Sequence, residues 1–445
     1  MTRRIVSPRS VLAVAALGAG LAFIDATIVN VAFPDIEKSF KGTSISTLSW
    51  VLNAYNICFA AFLVAAGRIA DLLGRKRLFQ VGVVVFTVAS ALCAVAPSVG
   101  TLIAFRVIQA IGAAIVVPAS LALVLQAFDG KERTRGVALW SASAALAAGV
   151  GPSLGGVLVE LGGWRLAFLV NLPVGVLAMW AARRVLVESR APGRRSVPDL
   201  RGALMLALAV SALTLGIVKG PEWGWTDPRV LVSWAIALAV GAAFLYRCTW
   251  HRFPMLDLGL FRIRSIATAN LLTLAGAAGF YAYVLCNVLF LTSVWRYSVL
   301  DAGLALTPGP FVAAAVAGPA GKLADRVGQR WVVSMGGLVW AAGMIYMVQR
   351  IGLRPDFVSE WLPGMVLLGI GAGITFPVIG SASVAAVTGG RFATATGLNS
   401  ISRQLGAVLG VAILVAIIGT PSPLEAANAF DNGWRFAAGC FLFVA

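Results

Sequence analysis

The chain has 445 residues, 59% of them hydrophobic and 12% charged, with a mean hydropathy of +0.90. A water-soluble chain carries about 25% charged residues, so too little polar surface is present here to cover a soluble body. The formal net charge of +17 would raise nucleic acid as a partner in a soluble protein, but the basic residues lie between long apolar blocks, and membrane topology accounts for them.

A helix needs about 20 predominantly apolar residues to cross a bilayer. In chain order such blocks lie at roughly 10–33, 47–67, 78–97, 100–124, 136–160, 166–182, 202–219, 230–248, 266–292, 302–320, 331–349, 362–387 and 394–419. A fourteenth begins near Trp434 and offers about a dozen residues before Ala445, so an incomplete last span is expected. One alternative is a longer chain with a soluble enzyme domain after Ala445. The two-residue alternation of membrane β-strands is absent.

Arg3, Arg4 and Arg9 ahead of the first block resemble the start of a secretory signal. The run continues unbroken to Val31 and further spans follow, so it reads as the first span. With the N-terminus in the cytoplasm, roughly two-thirds of the 35 Lys and Arg residues fall in cytoplasmic segments, the expected positive-inside bias beside anionic lipid head groups. Arg far exceeds Lys and Ala is abundant, a composition typical of GC-rich bacterial genomes, which places the chain in a bacterial plasma or inner membrane. Cys58, Cys93, Cys248, Cys286 and Cys440 are scattered, with neither disulfide nor metal-site spacing.

The chain repeats itself. Gly67-Arg68-Ile69-Ala70-Asp71-Leu72-Leu73-Gly74 follows the second block, and Gly321-Lys322-Leu323-Ala324-Asp325-Arg326-Val327-Gly328 follows the tenth. Both copies precede basic residues, as in transporters built from parallel repeats. The expected fold is therefore all-α and integral to the membrane. It comprises a six-helix bundle over 1–185, a two-helix insert with linkers over 186–264, and a second six-helix bundle over 265–445.

These loops resemble motif A of the major facilitator superfamily, and the arrangement is similar to its 14-span drug:proton antiporter branch. Ile24 to Pro34 resembles the first-span motif of that branch. Arg106-Val107-Ile108-Gln109-Ala110-Ile111-Gly112 is similar to motif B, with Ala110 in place of the usual Gly. Gly149-Val150-Gly151-Pro152-Ser153-Leu154-Gly155-Gly156 resembles the antiporter motif C, and Gly163-Trp164-Arg165 with Asn171-Leu172-Pro173 is also typical. The resemblance implies the major facilitator fold and proton-coupled antiport.

Asp25 is the one acid well inside a block, and such a residue needs a reason because it costs about 2.5–3.5 kcal/mol on insertion scales. A carboxyl group removed from water favours its neutral form, which suits a proton carrier, while Arg106 is a fixed charge. Both lie roughly 9–12 Å below the outer surface at 1.5 Å per residue, so they can pair. Asp25 is thus expected to carry the coupled proton and Arg106 to tune it. A static ion pair that fixes helix packing is the alternative.

In the motif A copies, Gly67 and Gly74 allow tight turns and Asp71 can bind a helix N-terminus. The family implies that Asp71 clamps the two halves at the start of the thirteenth span, with Arg75 and Lys76 completing the cluster and Arg77 an ordinary loop charge. Gly321, Asp325, Arg326 and Gly328 form the second copy. Gly149, Gly151, Gly155 and Gly156 around Pro152 permit close helix approach and a kink, and by resemblance mark an interface that closes the outer side.

Candidate substrate contacts are Asn30, Asn53, Tyr55, Tyr281, Tyr283, Asn287, Arg403 and Gln404, which can orient a ligand among apolar walls or bond neighbouring helices. Arg403-Gln404 followed by Gly406 and Gly410 is similar to a recurrent pattern of the branch. The late spans contain no acid, so neutral, monocationic or anionic amphiphiles suit the electrostatics better than dications. There is no phosphate-binding loop, and His251 reads as a loop residue. The expectation is a non-enzymatic exporter of amphiphilic small molecules driven by the proton gradient, with membrane lipids around it and no other cofactor. A lipid, lysolipid or metabolite transporter of the same fold is the alternative.

Overall fold

The structure is a computed structural model that describes residues 7–128, 132–190, 199–251, 254–385, 392–419 and 426–445. The first half contains α1 (Pro8–Ser39), α2 (Ile45–Leu48), α3 (Trp50–Leu73), α4 (Arg75–Ala94), α5 (Val99–Ala127), α6 (Glu132–Gly162), α7 (Trp164–Leu169) and α8 (Asn171–Val185). Two helices follow, α9 (Leu200–Trp223) and α10 (Pro228–Trp250). The second half contains α11 (Arg264–Ser293), α12 (Val299–Leu306), α13 (Pro308–Val327), α14 (Gln329–Arg350), α15 (Leu362–Ala385), α16 (Phe392–Ile418) and α17 (Ala426–Val444). Thirteen helical stretches among the described residues are long and apolar enough to cross a membrane. We call the face where α1 begins proximal and the face where it ends distal.

Local signals set the breaks. Ser98 and Thr101 cap α5 reciprocally, with Thr101 N–H donating to Ser98 Oγ at 3.3 Å and Ser98 N–H to Thr101 Oγ1 at 3.1 Å, which satisfies two amides with no helical partner. Pro8 and Pro228 start α1 and α10, where a missing N–H costs nothing. Gly74 and Gly328 separate α3 from α4 and α13 from α14 at φ of +121° and +95°, a backbone that strains any residue with a Cβ. The two repeat loops thus share one turn geometry.

The repeat extends to packing. In the first half α1 lies on α5, α6 and α8, and α5 lies on α3 and α4. In the second half α11 lies on α15, α16 and α17, and α15 lies on α13 and α14. Gly82 of α4 nests on Ile115 and Val116 of α5, and Gly336 of α14 nests in the same way on Ile374 and Thr375 of α15. Between the pair of inserted helices, α9 is the one that touches both halves, through α3 and α16. At its distal end Lys219 Nζ donates to Ser46 Oγ and Thr47 Oγ1, both at 2.9 Å, and pairs with Glu222 at 2.7 Å.

The last helix is longer than the sequence suggests. It begins well before Trp434 and has 19 residues, about 28 Å at 1.5 Å per residue. Asn428, Asp431 and Asn432 break the apolar run that a hydropathy scan seeks. Phe430, Trp434, Ala437, Ala438 and Phe441 nevertheless fall on one buried face, at the spacing of an amphipathic helix.

On the distal side the halves share one apolar core. Ile28, Phe33 and Ile36 of α1 join Leu285, Val288 and Leu291 of α11 and Val299 and Ala302 of α12. Toward the proximal side Phe79, Val83 and Val116 belong to one core and Ala324, Val332 and Ile374 to another, while α3 and α16 still meet between them, with Gly397 against Val64.

Candidate transport site

Asp25 and Arg106 meet directly. Asp25 is fully buried and Arg106 is 1% exposed, and the Arg106 Nη1 group donates to Asp25 Oδ2. The other carboxylate oxygen, Oδ1, accepts from Gln109 Nε2 at 2.8 Å and Asn171 Nδ2 at 3.0 Å. Ser90 Oγ accepts from the same two amides at 3.1 and 2.9 Å and donates to the Phe168 carbonyl at 2.9 Å. Helices α1, α4, α5 and α8 therefore converge on one carboxylate. Every group facing Asp25 in this set is a donor, an arrangement complementary to the ionised carboxylate.

Arg106 does not depend on Asp25 alone. Its Nε donates to the Val51 carbonyl at 3.1 Å and its Nη1 to Gln109 Oε1 at 2.7 Å. The guanidinium also stands 4.1 Å from the centroid of the Tyr55 ring, within cation–π range. Loss of charge on Asp25 would leave the arginine with acceptors and an aromatic face.

Gln109, Asn171 and Ser90 are absent from the sequence-based candidates. Gln109 had a readable signal: it lies three residues after Arg106 and so shares its helix face. Asn171 and Ser90 come from other helices and are uncharged, so nothing in the sequence tied them to Asp25.

The residues proposed as substrate contacts separate into groups. Tyr55 lies under Arg106 and donates to the Ala22 carbonyl at 3.3 Å. Tyr283 donates to Met365 Sδ at 3.3 Å, and Asn287 Oδ1 accepts from Trp434 Nε1 at 2.8 Å, both inside the second half. Asn30 Nδ2 donates to the Ala26 carbonyl at 2.7 Å in its own helix. Asn53 is fully buried and its amide has no hydrogen-bond partner among the described residues. Gln404 is buried and Tyr281 half-buried. Arg403 of α16 reaches across to Phe23 of α1, its Cζ lying 5.8 Å from the ring centroid.

Motif C serves two interfaces at once. A Cβ on Gly151 would meet Thr27 Oγ1 at 1.8 Å, and one on Gly155 would meet the Ile28 backbone at 3.3 Å, so these glycines seat α6 on α1. Gly149 faces Pro310, Gly156 faces Val299 and Leu300, and a Cβ on Gly303 would lie 2.5 Å from the Pro152 carbonyl. These contacts join the halves distally, where the Ser153 and Thr307 hydroxyls also hydrogen-bond.

The motif A copies share a backbone but not their partners. Asp71 accepts from Arg75 Nε at 2.9 Å and Nη2 at 2.8 Å and is 43% exposed, so it is engaged within its own half. The connection from α15 to α16 at 386–391, where a clamp would land, lies outside the described residues. Glu188 caps α4, accepting from the Lys76 and Arg77 amides at 3.1 and 3.0 Å, and Lys76 Nζ donates to the Arg183 carbonyl at 3.2 Å. Around Gly321 and Gly328 of the second copy there is open space, and Asp325 and Arg326 are exposed.

Comparison with known proteins agrees with this architecture. The family model described as Major Facilitator Superfamily matches residues 15–290 and 269–445. The chain is 35% identical over 403 residues to the multidrug resistance protein Stp of Mycobacterium tuberculosis (strain CDC 1551 / Oshkosh), covering 90% of this chain and 74% of that one. It is also 35% identical over 417 residues to the methylenomycin A resistance protein of Bacillus subtilis (strain 168), covering 92% and 87%. Among solved structures it resembles a POT family transporter in complex with 5-aminolevulinic acid, with a TM-score of 0.71, 14% identity and coverage of 98% and 94%. A nucleoside transporter gives a TM-score of 0.65, 12% identity and coverage of 98% and 97%. At that identity the solved structures speak for the fold alone. The chain belongs to the major facilitator superfamily and is a multi-pass membrane transporter, not an enzyme.

Proposed function

We propose that this chain is a proton-driven exporter of amphiphilic small molecules in a bacterial cytoplasmic membrane, with its proximal face in the cytoplasm. The observation that carries the reading is the buried Asp25 carboxylate, ringed by Arg106, Gln109 and Asn171. The relatives named for multidrug and methylenomycin A resistance support export, and the basic proximal loops support the orientation. The proton gradient supplies the drive, with no other cofactor and no nucleic-acid partner.

The distal core and the motif C contacts hold the outer side shut, so this is a state closed to the outside. In this state three donors surround the Asp25 carboxyl group. In the outward-facing state a proton from outside neutralises Asp25, and Arg106 keeps Gln109, Val51 and Tyr55 as partners. The charge on Asp25 thereby biases the two states differently, which is all that coupling requires. Asp71 and Arg75, with Lys76, would close the cytoplasmic side in the alternate state, and the second copy at Asp325 and Arg326 would act more weakly.

The test is proton movement in proteoliposomes carrying a pH-sensitive dye, comparing the natural protein with Asp25→Asn over a panel of amphiphilic substrates. Substrate-dependent proton movement that vanishes in the variant is expected. Coupled movement that persists in Asp25→Asn removes the coupling from this residue and sinks the proposal.

A further inference from the structure

We propose that Arg403 is an anion-binding residue of the central path, so that the substrates are amphiphiles carrying a carboxylate beside an aromatic or apolar body. The inference rests on the transport reading above and adds the charge of the substrate to it. Arg403 lies near the middle of α16 and Phe23 near the middle of α1, so their contact marks the seam between the halves at mid-membrane. That depth is too far from either surface for the guanidinium to reach the head groups. Arg403 has no carboxylate within ion-pairing distance among the described residues. The nearest candidate on α1, Asp25, is already occupied inside the first half by Arg106, Gln109 and Asn171.

An arginine costs too much in a membrane interior to stand idle and cannot discard its proton. Arg106 solves this with an internal anion, and Arg403 has none among the described residues, so its counter-ion is supplied from outside the chain. The surroundings give the rest of the ligand. At 5.8 Å the Phe23 ring lies near the limit of a cation–π contact, close enough to hold the guanidinium in an empty site and weak enough for an anion to displace it. Phe23 is itself braced edge-on by Trp140, with centroids 6.3 Å apart, forming an aromatic wall beside the charge. A planar guanidinium matches a carboxylate with two parallel hydrogen bonds.

The test is equilibrium binding to the purified protein in lipid nanodiscs with no gradient, read by energy transfer from tryptophan to dansyl. The three probes share one fluorophore and differ in charge: dansylglycine, dansylglycinamide and dansylcadaverine. The acid is expected to bind about tenfold more tightly than its amide, with the amine weakest. Arg403→Gln is expected to equalise acid and amide, while Arg403→Lys, which keeps the charge, retains part of the preference and controls for folding. An acid no tighter than its amide, including one that does not bind measurably, overturns the proposal, as does a preference that survives in Arg403→Gln. Binding without a gradient is independent of proton coupling, so failure at Asp25 in the liposome assay and failure here are separate results.

Discussion

The two halves share a backbone and differ in the chemistry at their centres. Gly112 of α5 nests on the backbone of Phe86, and Gly371 of α15 nests on that of Trp340. Carrying that register back along each helix pairs Arg106 with Met365, Gln109 with Leu368 and Ser90 with Met344. Matching Phe23 and Asn30 with Phe280 and Asn287 pairs Asp25 with Ala282. The polar cluster of the first half thus has apolar residues at four matched positions in the second. There Tyr283, Trp340, Phe376 and Phe441 pack together, with Trp340 and Phe441 stacked at a centroid distance of 3.8 Å. Close glycine contacts persisted through the repeat because a Cβ at those sites meets backbone. Charge was free to specialise. In the proposed mechanism the first half handles the proton and the second offers its unpaired arginine to the substrate.

The largest test of that division removes one arginine from each half. Arg106→Ala strands a buried carboxylate, and breaking a buried pair from one side costs about 3–5 kcal/mol. Thermal unfolding in detergent is expected to show a severe loss. The double variant Asp25→Ala/Arg106→Met copies the residues of the second half and is expected to recover most of that stability, because removing both charges together is close to neutral. Arg403→Gln is expected to leave stability nearly unchanged. If the double variant were no more stable than Arg106→Ala, or Arg403→Gln equally damaging, the contrast between a paired and an unpaired arginine would collapse.

The same contrast shows what a sequence can and cannot disclose. Asp25 and Arg106 were legible because charge inside an apolar block is rare and their depths could be matched by counting residues. Gln109, Asn171 and Ser90 were not, since neutral polar residues are tolerated in membrane helices for many reasons and their convergence depends on how α4, α5 and α8 cross α1. The fold was legible from its repeat, whereas α17 was underestimated because Asp431 and Asn432 interrupt its hydropathy without interrupting its buried face. Asp71 was recognisable as a loop carboxylate between two glycines. Its partner, Arg75, lies four residues on, a pairing within one loop that the sequence could equally have assigned to its neighbour Lys76.

A middle-sized effect separates the two copies of the repeat loop. Gly74→Ala and Gly328→Ala both force a side chain into a positive-φ backbone, at about 1–3 kcal/mol each. At Gly74 the new methyl would also lie 2.6 Å from the Glu188 carboxyl group and displace it from the Lys76 and Arg77 amides, adding about 1–2 kcal/mol for the lost cap. Around Gly328 there is open space. Unfolding temperatures should therefore fall further for Gly74→Ala than for Gly328→Ala. In a Glu188→Ala background the excess should disappear. Equal losses in the natural background would mean that Glu188 moves aside freely and that the two loops are energetically alike.

The smallest effect lies on the distal seam, where the halves touch through backbone and small residues. Ser153 of α6 and Thr307, between α12 and α13, hydrogen-bond across it, among glycines that hold the helices too close for larger groups. Ser153→Ala removes that bond while keeping the shape, a loss of about 0.5–1.5 kcal/mol. Because the bond exists only while the distal side is closed, the whole loss falls on one state, so the equilibrium shifts by up to about tenfold toward distal opening. Stability within each half is untouched. A cysteine placed at Gly303, where the seam is tightest, would itself disturb the packing, so the reporter belongs at Leu304, which is 49% exposed, paired by crosslinking with a second cysteine at Val157 of α6. Ser153→Ala should lower the crosslinking yield of that pair without lowering the unfolding temperature by more than a degree or two. An unchanged yield would show that the glycine contacts alone hold the seam and that the hydroxyl pair is incidental.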